Sequence, residues 1–137
     1  MWHLLSMFVV MVLIQVFVMP FMMVDRAADV YFSVTQGYMG AFMGSLMVAV
    51  EGILWHPLPW WAWMLTVAIC VGSIWGYRSQ FGIGDREYLH DMIPHHSMAV
   101  LTSKKRLNSP DSRVVRLAES IIMGQEREIK QMRFMIT

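Results

Sequence analysis

The chain is expected to be all-α: three transmembrane helices followed by a polar, antiparallel helical hairpin. Two features of the whole chain and one pattern along it predict this. Hydrophobic residues fill 56% of the 137 positions and mean hydropathy is +0.45, too apolar for an ordinary soluble domain of this length. Among acidic and basic residues only Asp25, Arg26, Asp29 and Glu51 precede Arg78, so charge is concentrated in the last third. Three apolar stretches of spanning length occupy the charge-poor part. The expected organisation is a membrane domain over residues 1–79 and a polar hairpin over 80–137.

The first span covers about 4–24, which carries no charge. A helix of about 20 residues crosses a hydrocarbon core roughly 30 Å thick. The segment lacks the basic start and small-residue cleavage site of a secretory signal, so it is read as a retained span. Pro20 cannot donate to the carbonyl of Val16 and is expected to kink it. Asp25 to Asp29 forms a polar connection. The second span covers about 38–55 and could start earlier, because residues 30–34 are also apolar. Gly40, Ala41, Gly44, Ser45 and Ala49 give it a small-residue face for close helix contact. His56-Pro57-Leu58-Pro59 is a turn that helix cannot cross. The third span covers about 60–77. Trp55, Trp60, Trp61 and Trp63 mark one interface, and Trp75 with Tyr77 the other.

Within these spans Met7, Met11 and Met22 share a face, and Met39, Met43 and Met47 step along another. Thioethers at such positions are adaptable packing residues; a metal-conducting ladder is the functional counterpart. Glu51, about one turn from the end of its span, either pairs with His3 or His56 or snorkels to the interface and stays solvated. The single cysteine, Cys70, excludes an intrachain disulfide and a multi-cysteine zinc site, and reads as a small buried hydrophobe. A net charge of +1 and the lack of any recognition motif give no nucleic-acid partner.

In the polar third, Gly82-Ile83-Gly84 is a joint and Asp85 is expected to cap a helix over about 86–107. Asn108-Ser109-Pro110 breaks the chain, with Ser109 as the cap of a second helix over about 111–135. Helices joined so closely pack antiparallel. At about 100° per residue, Leu89, Ile93, Val100 and Leu107 form the buried stripe of the first. Val114, Leu117, Ala118, Ile121, Ile129, Met132 and Ile136 form that of the second, with Gln125 and Glu128 in the same sector. One hairpin cannot enclose a core, so two from separate chains are expected to make a four-helix bundle as a homo-oligomer.

The chemistry is concentrated at residues 90–98, His-Asp-Met-Ile-Pro-His-His-Ser-Met. Imidazole and thioether together suit a soft ion such as Cu(I), and not Mg²⁺ or Ca²⁺. His95, His96, Met92 and Met98 are the candidate ligands, with His90 and Met132 as further candidates. Gln125 and Glu128 are expected to orient them, as a carboxylate on the far nitrogen of a ligand imidazole does. Pro94 frees the carbonyl of His90 and either turns the histidine pair toward one cavity or is a tolerated bend. No nucleophile motif, phosphate loop or paired Glu-x-x-His is present, so no enzyme is expected.

The block Met92-Ile93-Pro94-His95-His96, followed by Gln125-Glu126-Arg127-Glu128-Ile129-Lys130-Gln131-Met132, resembles the family known as domain of unknown function 305. The resemblance covers about the last 50 residues. It implies a ferritin-like helical fold, of which one hairpin is half, and binding of Cu(I) or Ag(I) through His and Met in copper homeostasis or tolerance. Many members have a further Met where this chain has Thr102, and Gly where it has Met98. The expected location is the inner cell membrane, with lipid and a metal-donor or acceptor protein as partners. The side of the hairpin is open: Arg26, Arg78 and Arg86 favour the cytoplasm, whereas secreted members of the family are periplasmic. The alternative expectation is a non-catalytic subunit of a membrane complex, whose His, Gln and Glu groups only fix packing.

Overall fold

Helix boundaries follow the polar and proline punctuation of the sequence. The computed structural model describes residues 2–55 and 57–137, which form five helices and no strand. These are α1 (Trp2–Met23), α2 (Val34–Leu54), α3 (Trp60–Ser79), α4 (Asp85–Lys104) and α5 (Ser112–Ile136). A 3-10 turn at Ala27–Asp29 lies between α1 and α2. The chain divides into two compact units. One comprises residues 1–19 and 33–83, the other 20–32 and 84–137.

In the first unit, α1, α2 and α3 are each long and apolar enough to cross a membrane. The turn before Pro20 is a π-turn, Ile14–Val18, with the Met19 N–H bonded to the carbonyl of Ile14. The widened register absorbs the missing proline donor, and the helix continues to Met23. α2 starts four residues earlier than expected because the Ser33 hydroxyl caps it, accepting from the Gln36 N–H at 3.4 Å.

The small-residue face of α2 does what its composition predicts. A Cβ on Gly44 would lie 2.7 Å from Cδ2 of Phe8, and one on Gly40 3.1 Å from Cα of Val12, so α1 is drawn close only because both are glycine. On the other side Tyr38 lies against Gly76 of α3, and its hydroxyl donates to the Phe81 carbonyl at 2.7 Å. Ser45, Thr66 and Ser73 donate to carbonyls of their own helices at 2.7–2.8 Å, leaving no free hydroxyl proton for lipid. Beyond α3, Gln80 takes the left-handed conformation (φ 54°) and the Phe81 N–H bonds to the Gly76 carbonyl, ending the helix. His3 Nε2 lies 3.5 Å from Glu51 Oε1, so His3 is a partner for this carboxylate. His56, the other expected partner, lies outside the described residues. Met22, Met39, Met43 and Met47 are all exposed, and Cys70 is a free, half-buried thiol.

The second unit is the hairpin of α4 and α5. Its core is Ile93, Val100, Ile129 and Met132, with Leu89, Met92, Ile122 and Ile136 packed against it. Several expectations are corrected. Gly84, not Asp85, precedes the first turn of α4; Asp85 and Glu87 lie within that turn, where they complement the helix dipole. α4 ends at Lys104, leaving Leu107 exposed beyond it. Asp111, not Ser109, caps α5, because its carboxylate reaches the Arg113 N–H at 2.9 Å. Val114 and Leu117, expected in the buried stripe, are exposed.

The connection 20–32 belongs to this second unit. Ser97, with no exposed surface, donates to Asp29 Oδ2 and accepts from the Asp25 N–H, both at 2.8 Å. Asp29, only 3% exposed, also accepts from Arg133 Nη2 at 2.5 Å. Asp25 Oδ2 accepts from Lys104 Nζ at 2.6 Å, and Glu126 Oε1 from Arg26 Nη2 at 2.9 Å. Tyr31 packs on the core and on the His90 ring. A short polar segment between two apolar helices thus becomes the third packing element of the hairpin unit.

Candidate metal site

The stretch 90–98 lies wholly within α4, which runs through Pro94 without interruption. Successive residues of a helix turn by about 100°, so Met92, His95 and His96 fall within about 100° of one another on a single turn. His95 is exposed, while Met92 and His96 are half-buried. The two imidazole centroids are 6.2 Å apart with ring planes at 58°. Met98 is about 60° from His95 but about 160° from His96, on the outward face.

His90 and Met132 are placed elsewhere. The His90 ring lies 5.0 Å from that of Tyr31, tilted by 36°, about 120° around the helix from His96. Met132 is buried in the core, with Met92 packed against the same cluster. Among the described residues, no group of three or more His, Cys, Asp or Glu side chains is gathered in a way that could hold a metal ion.

Glu128 occupies the position expected of an orienting carboxylate. Its Oε2 lies 3.0 Å from Nδ1 of His96, a buried nitrogen with no other polar partner. The two atoms approach closely without the alignment of a hydrogen bond. A carboxylate here favours the proton on Nδ1 and leaves the Nε2 lone pair for a ligand. Glu128 is half exposed, because the α5 sector carrying it lies at the open edge of the hairpin. Gln125 is half-buried in the same sector.

Two faces of the hairpin are thus distinct. One is covered by residues 25–31 through Ser97, Lys104, Glu126 and Arg133. The other, open face carries His96 and Glu128. Sequence reasoning missed Ser97, Asp29, Tyr31 and Arg133. A serine one turn from Ile93 and Val100 on the apolar stripe was the available signal, since a buried hydroxyl requires a partner.

No solved structure matches the chain. A curated protein of Acanthamoeba polyphaga mimivirus, described as uncharacterized, is 41% identical over 70 residues. Those residues are 50% of this chain and 46% of the viral protein, so the chain spans about half the length of the relative it matches. Residues 80–136, which carry both sequence blocks on the two helices of one hairpin, match the family model described as Domain of unknown function (DUF305).

Proposed function

We propose that the protein is an integral membrane protein whose hairpin binds Cu(I), or Ag(I), in copper homeostasis. One observation carries the reading. Met92, His95 and His96 share a turn of α4, and the Glu128 carboxylate stands at the far nitrogen of one imidazole. Thioether and neutral imidazole are donors that select a soft monovalent ion, and the carboxylate raises imidazole basicity. Met92, His95 and His96 would hold the ion. Met98 adjoins His95 on the outward side, where a second hairpin could bring it into use. His90 and Met132 would join only after rearrangement, being engaged with Tyr31 and the core.

The membrane part of the reading is supported by length and apolar composition of α1 to α3. It is also consistent with the ion pairs of the hairpin unit. Three crossings put the α1–α2 connection and the hairpin on the same side of a bilayer, as the Asp25–Lys104 and Asp29–Arg133 pairs require. The exposed apolar side chains of α5, among them Leu117 (62% exposed) and Phe134 (85%), favour association of hairpins from separate chains.

A second reading is a structural subunit whose polar hairpin residues only fix packing; the stacking of His90 on Tyr31 favours it. Anaerobic titration of the purified full-length protein with Cu(I) against a chromophoric chelator separates the two. Copper bound by the parent and lost in the His95→Ala, His96→Ala double variant, with assembly unchanged, supports the metal reading. Full affinity in that variant overturns the ligand assignment, and no affinity in the parent leaves the packing reading.

A further inference from the structure

α1 and α3 both pack on α2, and a crevice of about 460 Å³ opens among the three helices. Leu5 and Phe8 of α1, Val48 of α2, and Leu65 and Ile69 of α3 face it. Its two hydroxyls, Ser45 and Thr66, donate to carbonyls of their own helices at 2.7 and 2.8 Å. The lining therefore has no free hydroxyl proton to offer, and its remaining side-chain donors are the indole N–H groups of Trp2 and Trp61 at helix ends.

Position and size narrow the occupant further. Trp2 and Trp61 stand at helix ends, where amphipathic rings mark a membrane interface, and the His3–Glu51 pair lies at the same ends of α1 and α2. From Trp61 to Ile69 the crevice runs about 12 Å along α3, close to half of a hydrocarbon core roughly 30 Å thick. It thus extends from one interface to near the midplane, the depth of a single leaflet. Leu5, Phe8, Val48, Leu65 and Ile69 give the crevice an apolar wall over this depth, which suits a slender hydrocarbon.

We propose that this crevice is a binding site for an acyl chain of a bilayer lipid, taken from the leaflet in which α1 begins and α2 ends. The proposal rests on the reading of α1 to α3 as membrane spans and is independent of the metal reading.

The test uses the full chain reconstituted into phosphatidylcholine vesicles that contain a lipid with a photoreactive group on its acyl chain. After illumination, labelled residues are mapped by peptide mass spectrometry. Labelling is expected to concentrate on Phe8, Leu65 and Ile69 and to exceed that of outward-facing Met64 and Val67. Val48→Phe, which fills the crevice, is expected to lower the labelling to the level of Met64 and Val67. Helix content by circular dichroism shows that this variant is folded, and Val48→Ala, which keeps the space open, must retain the labelling. Equal labelling of inner and outer residues, or crevice labelling unchanged by Val48→Phe, overturns the site. Photocrosslinks joining two chains through the crevice residues assign it to a second copy and also overturn it. Extraction of the unlabelled protein from membranes by alkaline carbonate would instead remove the spanning assumption itself.

Discussion

Glu128 Oε2 stands 3.0 Å from His96 Nδ1 on a half-exposed side chain, so its replacement isolates the effect of that carboxylate. Glu128→Ala is expected to weaken Cu(I) binding about 10–100-fold in chelator competition while leaving helix content unchanged. Asp29 is a different case, because its carboxylate is buried and shared between Ser97 and Arg133. Arg133→Ala strands that charge and is expected to cost about 3 kcal/mol in thermal or denaturant unfolding of the detergent-solubilised protein. Arg26→Ala breaks an exposed pair and is expected to cost less than about 0.5 kcal/mol in the same measurement. Equal losses in the two variants would contradict the burial argument. Asp111 supplies the pH dependence. The hydrogen bonds from the Arg113 side chain, then from its backbone N–H, hold the Asp111 carboxyl below its ordinary value of 3.8. The folded state therefore binds this proton more weakly than the unfolded chain does. The cap is fully effective above about pH 4 and is lost as pH falls through the lowered value. Amide exchange at Arg113 and Val114 is expected to quicken with acid in the parent, and to show no such step in Asp111→Asn.

At the scale of elements, the three apolar helices and the hairpin were legible because their signals are repeated along the chain. A run of uncharged residues fixes a span whatever its neighbours do. Helix ends were less legible, since caps depend on a single side chain competing with its neighbours. Ser109 and Asp111 both suit a cap, and Asp111 wins through its added bonds to Arg113. The face of α4 was half legible: Ile93 and Val100 are buried as their spacing predicts, but Ser97 between them is buried too. The docking of residues 25–31 could not be read from periodicity, because it joins residues 79 and 104 positions apart. The docking can be tested by exchanging charges. Asp25→Lys alone and Lys104→Asp alone are each expected to loosen the hairpin unit, seen as faster proteolysis at the Gly82–Gly84 joint, and the double exchange to restore resistance. No rescue would mean that the pair does not hold the segment.

For the whole molecule, the three crossings proposed above make the sides alternate. In a Cys70→Ser background, single cysteines at Ala27 and Ser120 are expected to be labelled by an impermeant reagent from the same side of sealed vesicles. A cysteine at Pro57 is expected to be labelled only from the other side. Labelling of Ala27 and Ser120 from opposite sides would remove the three-span arrangement. The ionic fastening of residues 25–31 also sets an order of events during biogenesis. Asp25 and Asp29 emerge from the ribosome long before Lys104 and Arg133 have been made, the latter pairings spanning 79 and 104 positions. Until those residues are made, Asp25 has only its neighbour Arg26 for charge compensation and Asp29 lacks Arg133. Folding of the hairpin unit is therefore completed only by the C-terminal helices, and a nascent chain halted after α3 would carry two carboxylates whose partners Lys104 and Arg133 never arrive.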